Sequence, residues 1–178
     1  MVKVAIFGGS FDPPHYGHQK IVDKALEVLD IDKLIVIPTY LNPFKSSSSA
    51  TPIDRFNLAK KIFINNRVVV SDFEIKQHKV VYTAQTIKYF KKIYEVKYLI
   101  IGADNLKSLN KWYNFKYLNN NITWAIASRD GIKLETAELK NYVRLDVEAD
   151  ISSSFIRKEL NFDSIDNKIK DDIKRIYS

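Results

Sequence analysis

Val2-Lys3-Val4-Ala5-Ile6-Phe7-Gly8-Gly9, continuing as Ser10-Phe11-Asp12-Pro13-Pro14-His15-Tyr16-Gly17-His18, decides the fold of this chain. Val2 to Phe7 is a short, largely apolar run that two glycines stop, the pattern of a buried strand. From about Gly17 to Asp30 the apolar residues Ile21, Val22, Ala25, Leu26 and Leu29 recur at helical spacing, and His18 shares their face. Leu34 to Pro38 is a second short apolar run. Strand, helix and strand this close together form a βαβ unit, which calls for a parallel sheet.

Outward from that unit the pattern repeats. Tyr40 to Ala50 reads as a loop containing Pro43 and the run Ser46 to Ser49. Thr51 is a good N-cap, with Pro52 at the first helical position and Asp54 in the first turn. Val68 to Ser71 is the next strand, Asp72 to Val81 reads as polar and irregular, and Tyr82 to Ile93 as helical. Val96 to Ile101, Ile122 to Ala127 and Val143 to Val147 are further strands. A short helix opens within the serines after Ile151, and a charged amphipathic helix closes the chain. With no internal repeat and no composition break, the expectation is one α/β domain over residues 1–178.

The 178 residues suffice for one hydrophobic core. The net charge of +7 favours anionic partners, although Lys, Asn and Ile are abundant throughout and part of the charge is background. Cysteine is absent, which excludes disulfides and thiolate chemistry. No apolar run approaches membrane-spanning length, and Val2 to Phe7 leads straight into the first motif without a signal peptide. A cytoplasmic protein without a membrane partner is the expectation, with homo-oligomerisation left open.

Gly8-Gly9 and the residues after them lie at the C-terminal end of the first strand, where open α/β sheets bind ligands. Glycine permits close backbone approach, and the following helix directs free N–H groups and its positive dipole end to the same spot. The glycine spacing is neither the dinucleotide fingerprint nor a Walker A loop. His15 and His18, three apart at a helix start, point to nearly the same place. They can bind phosphate, ligate a metal or simply cap and pack the helix; a metal site is disfavoured because His78, the one remaining histidine, is distant and cysteine is absent.

This stretch resembles the His-x-Gly-His signature of the nucleotidyltransferase superfamily, which has a Rossmann-like parallel sheet with helices on both faces. The resemblance implies that His15 and His18 bind ATP phosphates and stabilise charge at the α-phosphate while pyrophosphate leaves. It brings Gly8, Gly9, Ser10 and Phe11 to ATP as well. Such a displacement needs positioning and charge stabilisation more than a covalent nucleophile.

Ile151-Ser152-Ser153-Ser154-Phe155-Ile156-Arg157 resembles the superfamily's Ile-Ser-Ser-Thr-x-Ile-Arg signature, with Ser154 in place of threonine. Serines at a helix start cap it and leave N–H groups for an anion, and Arg157 lies one turn on, on the same side. By resemblance, Ile151 to Ser154 and Arg157 bind ATP, with Ser153, Ser154 and Arg157 on its triphosphate, and Arg157 also acts in catalysis.

The middle of the chain is similar to bacterial nicotinate-mononucleotide adenylyltransferases over nearly its whole length. Pro38-Thr39-Tyr40-Leu41-Asn42-Pro43-Phe44-Lys45 resembles their loop ending Pro-His-Lys, with Phe44 where histidine is usual and Lys45 kept as a phosphate ligand. Arg55 matches an arginine near that family's active site. Tyr82-Thr83 with Thr86 resembles the segment under the nicotinate ring, Val81 replacing the usual serine. Gly102-Ala103-Asp104, then Trp112, resembles the family's Gly-Ala-Asp…Trp segment, implying ribose contacts from Asp104 and ring stacking on Trp112. Arg129 matches after a strand end, although Asp130 replaces proline.

The resemblance implies adenylyl transfer from ATP to nicotinate mononucleotide, with magnesium carried on the phosphates rather than in a protein cage. Nicotinamide mononucleotide, or another phosphate acceptor such as phosphopantetheine, is the alternative within the class. A basic nucleic-acid-binding domain is the alternative outside it, and neither a recognition motif nor a clustered basic stretch supports that reading.

Overall fold

The computed structural model describes residues 1–129, 131–148 and 152–178. Six strands form one wholly parallel sheet: β1 (Lys3–Gly9), β2 (Lys33–Pro38), β3 (Val68–Val70), β4 (Glu95–Gly102), β5 (Thr123–Ser128) and β6 (Tyr142–Asp146). Their order is β3-β2-β1-β4-β5-β6, so the chain winds one way from β1 and then returns to wind the other. The expected Rossmann-like α/β domain is thus present. The switch between windings lies between β1 and β4, where doubly wound sheets open a crevice.

Both faces are covered, as a parallel sheet requires. Ala5 and Phe7 of β1 enter one core, with Val22 and Ala25 of α1 (Tyr16–Val28), Leu58 and Ile62 of α2 (Pro52–Ile62), Ile156 of α6 (Ser153–Glu159) and Ile173 of α7 (Lys170–Tyr177). Val4 and Ile6 enter the other, with Ala84, Ile87 and Phe90 of α4 (Thr83–Phe90) and Leu118 of α5 (Phe115–Asn121). Alternate residues of one strand therefore serve opposite cores, which explains why β1 reads as a continuous apolar run rather than an alternating one.

The structure departs from the sequence reading in the crossovers. The segment expected to be irregular from Asp72 to Val81 contains a short helix, α3 (Phe73–Lys76). It is held by tertiary packing: the Phe73 ring stacks on Tyr89 of α4 at 4.0 Å, and Ile75 is buried. A 3₁₀ helix, Ala103–Lys111, and then α5 occupy the stretch after β4, to which the sequence reading gave no elements. Ala103, Leu106, Leu109 and Trp112 all pack into the second core. Their spacing of three matches the three residues per turn of a 3₁₀ helix, so that stripe stays on one side.

Candidate active site

A cavity of about 1020 Å³ opens across the C-terminal ends of β1 and β4, bounded by Gly8 and Gly9 on one strand and Gly102 on the other. It matches the upper end of small-molecule pockets, large enough for a dinucleotide. Ser10, Phe11, His15 and His18 line one end, together with Ser152, Ser153 and Ser154. Tyr82, Thr83, Thr86, Asp104 and Trp112 line the other, and Lys45 and Arg129 also reach the wall.

The histidines are ordered by the backbone of α1. His15 is the N-cap, and its Nδ1 accepts the Gly17 N–H at 3.1 Å. His18 Nδ1 accepts the His15 N–H at 3.2 Å. In each ring the nitrogen that accepts cannot carry the proton, so both neutral imidazoles bear it on Nε2. The rings stack with centroids 3.8 Å apart, each carrying one Nε2–H donor. Burial lowers the His15 pKa to about 4. Burial and the neighbouring His15 hold His18 well below its ordinary value. Both are therefore neutral donors at neutral pH, working with the positive end of α1. The Phe11 ring, 2% exposed, sits 4.9 Å from His18 and fixes it edge-on. A Cβ on Gly9 would lie 3.1 Å from that ring, so glycine here makes room for Phe11.

Asp12 was not among the expected site residues, yet it ties this end together. Its carboxylate accepts the Ser49 N–H at 2.8 Å, the Ala50 N–H at 3.0 Å and the Tyr177 hydroxyl at 2.8 Å. Arg157 lies 4.0 Å from Asp12 Oδ2 and donates to the Asp12 carbonyl. Ser153 Oγ donates to the Pro13 carbonyl at 2.8 Å, and Ser152 caps α6 by accepting the Phe155 N–H at 3.1 Å. Both signature motifs, the end of the 40–50 loop and the last helix thus meet at one buried side chain. Arg157 sits beside the cavity rather than in its wall.

Arg55, expected at the substrate, has a different place. It is fully buried in α2, and its guanidinium donates to the carbonyls of Ser10 at 2.6 Å, Tyr40 at 2.8 Å and Ala50 at 3.4 Å. With Nε, Nη1 and Nη2 all engaged by loop carbonyls, it braces the first loop against the 40–50 loop from beneath. Phe44 occupies the expected loop position and is 61% exposed on the cavity rim. Ile151 and Asp130 lie outside the described residues.

At the other end α4 begins in the wall. The Tyr82 N–H is held by Gln85 Oε1 at 2.9 Å, and the N–H groups of Thr83 and Ala84 are the next donors at the helix start, where the helix itself supplies no acceptor. Thr86 is buried and donates to Glu74 Oε1 at 2.6 Å. Glu74, on α3, was absent from the sequence reading because its segment reads as loop. Trp112 packs edge-on to Trp124 at 6.2 Å, while its Nε1 is buried without a partner. Asp104 is exposed on the wall, its Oδ1 folded back over Gly102, 2.6 Å from where a Cβ there would lie. Among the described residues no group of three or more His, Cys, Asp or Glu could hold a metal, and no helix is long and apolar enough to cross a membrane.

A family model described as cytidylyltransferase-like matches residues 6–159. The probable nicotinate-nucleotide adenylyltransferase of Sulfurovum sp. (strain NBC37-1) is 52% identical to this chain, covering 97% of it and 93% of that protein. The protein of the same description from Aliarcobacter butzleri (strain RM4018) is 45% identical, covering 97% and 95%. Among solved structures, Plasmodium falciparum nicotinic acid mononucleotide adenylyltransferase complexed with NaAD superposes with a TM-score of 0.82 at 23% identity, over 98% of this chain and 96% of that one, a likeness of fold. A parallel 3-2-1-4-5-6 sheet, a capped histidine pair at its switch point and near full-length kinship lead to one assignment: the chain belongs to the nicotinate-nucleotide adenylyltransferase family.

Proposed function

We propose that this protein transfers the adenylyl group of ATP to nicotinate mononucleotide, giving deamido-NAD and pyrophosphate in NAD biosynthesis. The observation that carries the reading is the stacked pair of Nε2–H donors of His15 and His18 at the mouth of β1. A phosphate oxygen of the mononucleotide attacks the α-phosphorus, the bond to the β-phosphate breaks, and pyrophosphate leaves with the electron pair. The attacking group is already anionic, so the protein orients it and stabilises charge on the transferring phosphate.

In this reading His15 and His18 donate to the α- and β-phosphate oxygens. Ser153, Ser154 and Lys45 hold the triphosphate tail, Arg157 supplies positive charge to it from beside the cavity, and Gly8 to Phe11 let the nucleotide approach the backbone. Magnesium would come with ATP and neutralise phosphate charge, held by phosphate and water. That fits the donor set, since the cavity offers N–H groups and hydroxyls rather than a carboxylate cluster. The pyridine carboxylate meets the N–H groups at the start of α4, Thr83 foremost, with Trp112 beside the ring and Asp104 at the ribose.

Pyrophosphate release from magnesium-ATP, compared between nicotinate mononucleotide and nicotinamide mononucleotide, tests this. At least a tenfold preference for the acid in kcat/KM is expected. Equal turnover would remove the acid assignment, and no release with either would remove the adenylyl transfer itself.

A further inference from the structure

Among the described residues Glu74 is the one acidic side chain buried in the cavity wall at the α4 end, 4% exposed. Its Oε1 is fixed by the short bond from the Thr86 hydroxyl at 2.6 Å. Its Oε2 is shielded from solvent and has no hydrogen-bond partner among the described residues. An unpaired, buried polar edge is costly and persists where something completes it. Burial raises the Glu74 pKa to about 7, against the opposing pull of the Thr86 hydroxyl, so at neutral pH a large share of the molecules carry an O–H there. An O–H with no acceptor, beside the wall formed by Tyr82, Thr83 and Trp112, is complementary to a ligand carboxylate and gains from a charge-assisted bond.

We propose that Glu74 is a specificity-determining residue: fixed through Oε1 by Thr86, it offers its Oε2 edge to the pyridine carboxylate and thereby favours the acid over the amide. The proposal rests on the pyridine end of the site being the α4 end. It adds a side-chain partner to the N–H groups of the helix start. A carboxylate ligand accepts a hydrogen bond on either oxygen. An amide presents one acceptor and one donor, so it meets an O–H correctly in only one orientation and as a weaker, neutral acceptor.

The test is steady-state kinetics with both mononucleotides on the wild type, Glu74→Leu, Glu74→Gln and Trp112→Ala, each checked for a cooperative thermal transition. Glu74→Leu removes the polar edge; it should raise KM for nicotinate mononucleotide at least tenfold, lower the acid-to-amide ratio of kcat/KM about as much, and leave kcat and the KM for ATP within threefold. Glu74→Gln keeps the shape and a donor, and should stay within threefold of the wild type in all three. An unchanged acid-to-amide ratio in Glu74→Leu overturns the proposal, whether or not both KM values rise together. If Glu74→Leu fails to fold, Glu74→Met substitutes for it, since it also removes the polar edge while filling its volume, and an unchanged ratio again overturns the proposal. Trp112→Ala separates the two levels of failure. If it raises the mononucleotide KM while the Glu74 variants do not, only the Glu74 role falls; if neither changes, the placement of the pyridine at this end falls as well.

Discussion

The two ends of the cavity handle their polar groups in opposite ways. At the end proposed for the phosphates the side chains are anchored within the protein, both Nδ1 atoms by backbone N–H groups, Asp12 by two loop amides and Tyr177, and Ser153 by Pro13, so that the histidine Nε2–H groups and the buried Thr39 hydroxyl beside Gly9 are what is left open. At the pyridine end Glu74 Oε2 and Trp112 Nε1 are buried and unpaired. Moving an adenylyl group demands fixed donors, because reorientation during the reaction would return the gain. Recognising an acceptor can leave groups waiting, because the correct ligand completes them and the wrong one does not.

The largest effect that can break this comparison is chemical. His18→Ala removes one of two preset donors and should lower kcat by about 10²–10³-fold with the fold intact, the scale of losing one donor from an oxyanion-type site. Near-normal turnover in a folded variant would mean that the pair is a helix cap and nothing more. Next is Asp12→Ala, which strips the acceptor from Ser49, Ala50 and Tyr177 together. A loss of roughly 3 kcal/mol in urea unfolding is expected, because several donors are left unsatisfied at once.

The two ends also differ in the sign of their pH dependence. His15 is lowered from 6.5 to about 4, so below pH 6.5 the unfolded chain binds a proton that the folded one refuses. Its contribution is intact above pH 6.5 and is lost as pH falls toward 4, by at most about 3 kcal/mol. Glu74 is raised from 4.5 to about 7, so its contribution is intact below pH 4.5 and is lost as pH rises toward 7, by a similar limit. The two windows overlap, so the contributions offset each other in the wild type, and unfolding followed from pH 4 to 8 should show Glu74→Gln gaining stability relative to the wild type as pH rises from about 4.5 to 7. His15→Asn, which keeps an N-cap acceptor, should gain stability relative to the wild type as pH falls from 6.5 toward 4. Identical profiles in the two variants would remove the contrast.

What the sequence made legible follows this division. The strand-loop-helix around Gly8 to His18 and the Thr51-Pro52-Asp54 start of α2 are local patterns, and the structure has them where the pattern puts them. The serines and Arg157 were identifiable because their motif is contiguous. The Asp12 cluster was not, since its partners lie 37, 38 and 165 residues away and no local period joins them. Arg55 illustrates the same limit from the other side: a helical arginine near a site reads as a ligand, and only the packed loops reveal that carbonyls surround it. Glu74 lies in a four-residue helix held by aromatic stacking, and no sequence period can announce that. The 3₁₀ segment had a usable signal in its spacing of three, which helical and strand templates both pass over.

The smallest effect is the most discriminating, because it touches the phosphate end from the far end of the chain. Tyr177 is on the last helix and donates to Asp12 Oδ1 at 2.8 Å. Burial and the Asp12 charge push its pKa above the ordinary tyrosine value, so it remains a donor at any working pH. Tyr177→Phe keeps the ring and deletes this bond, which should cost about 1 kcal/mol because Asp12 retains its two loop amides. If the bond merely adds stability, the loss appears in urea unfolding and the kinetics stay put. If it helps to hold Asp12 against Arg157, KM for ATP should also rise about two- to fivefold while KM for nicotinate mononucleotide does not move. The split between the two substrates is the decisive reading, since a general loosening of the fold would weaken both. An equal rise in both would mean that the two ends share one support, and that the difference in how they hold their polar groups does not divide the labour between them.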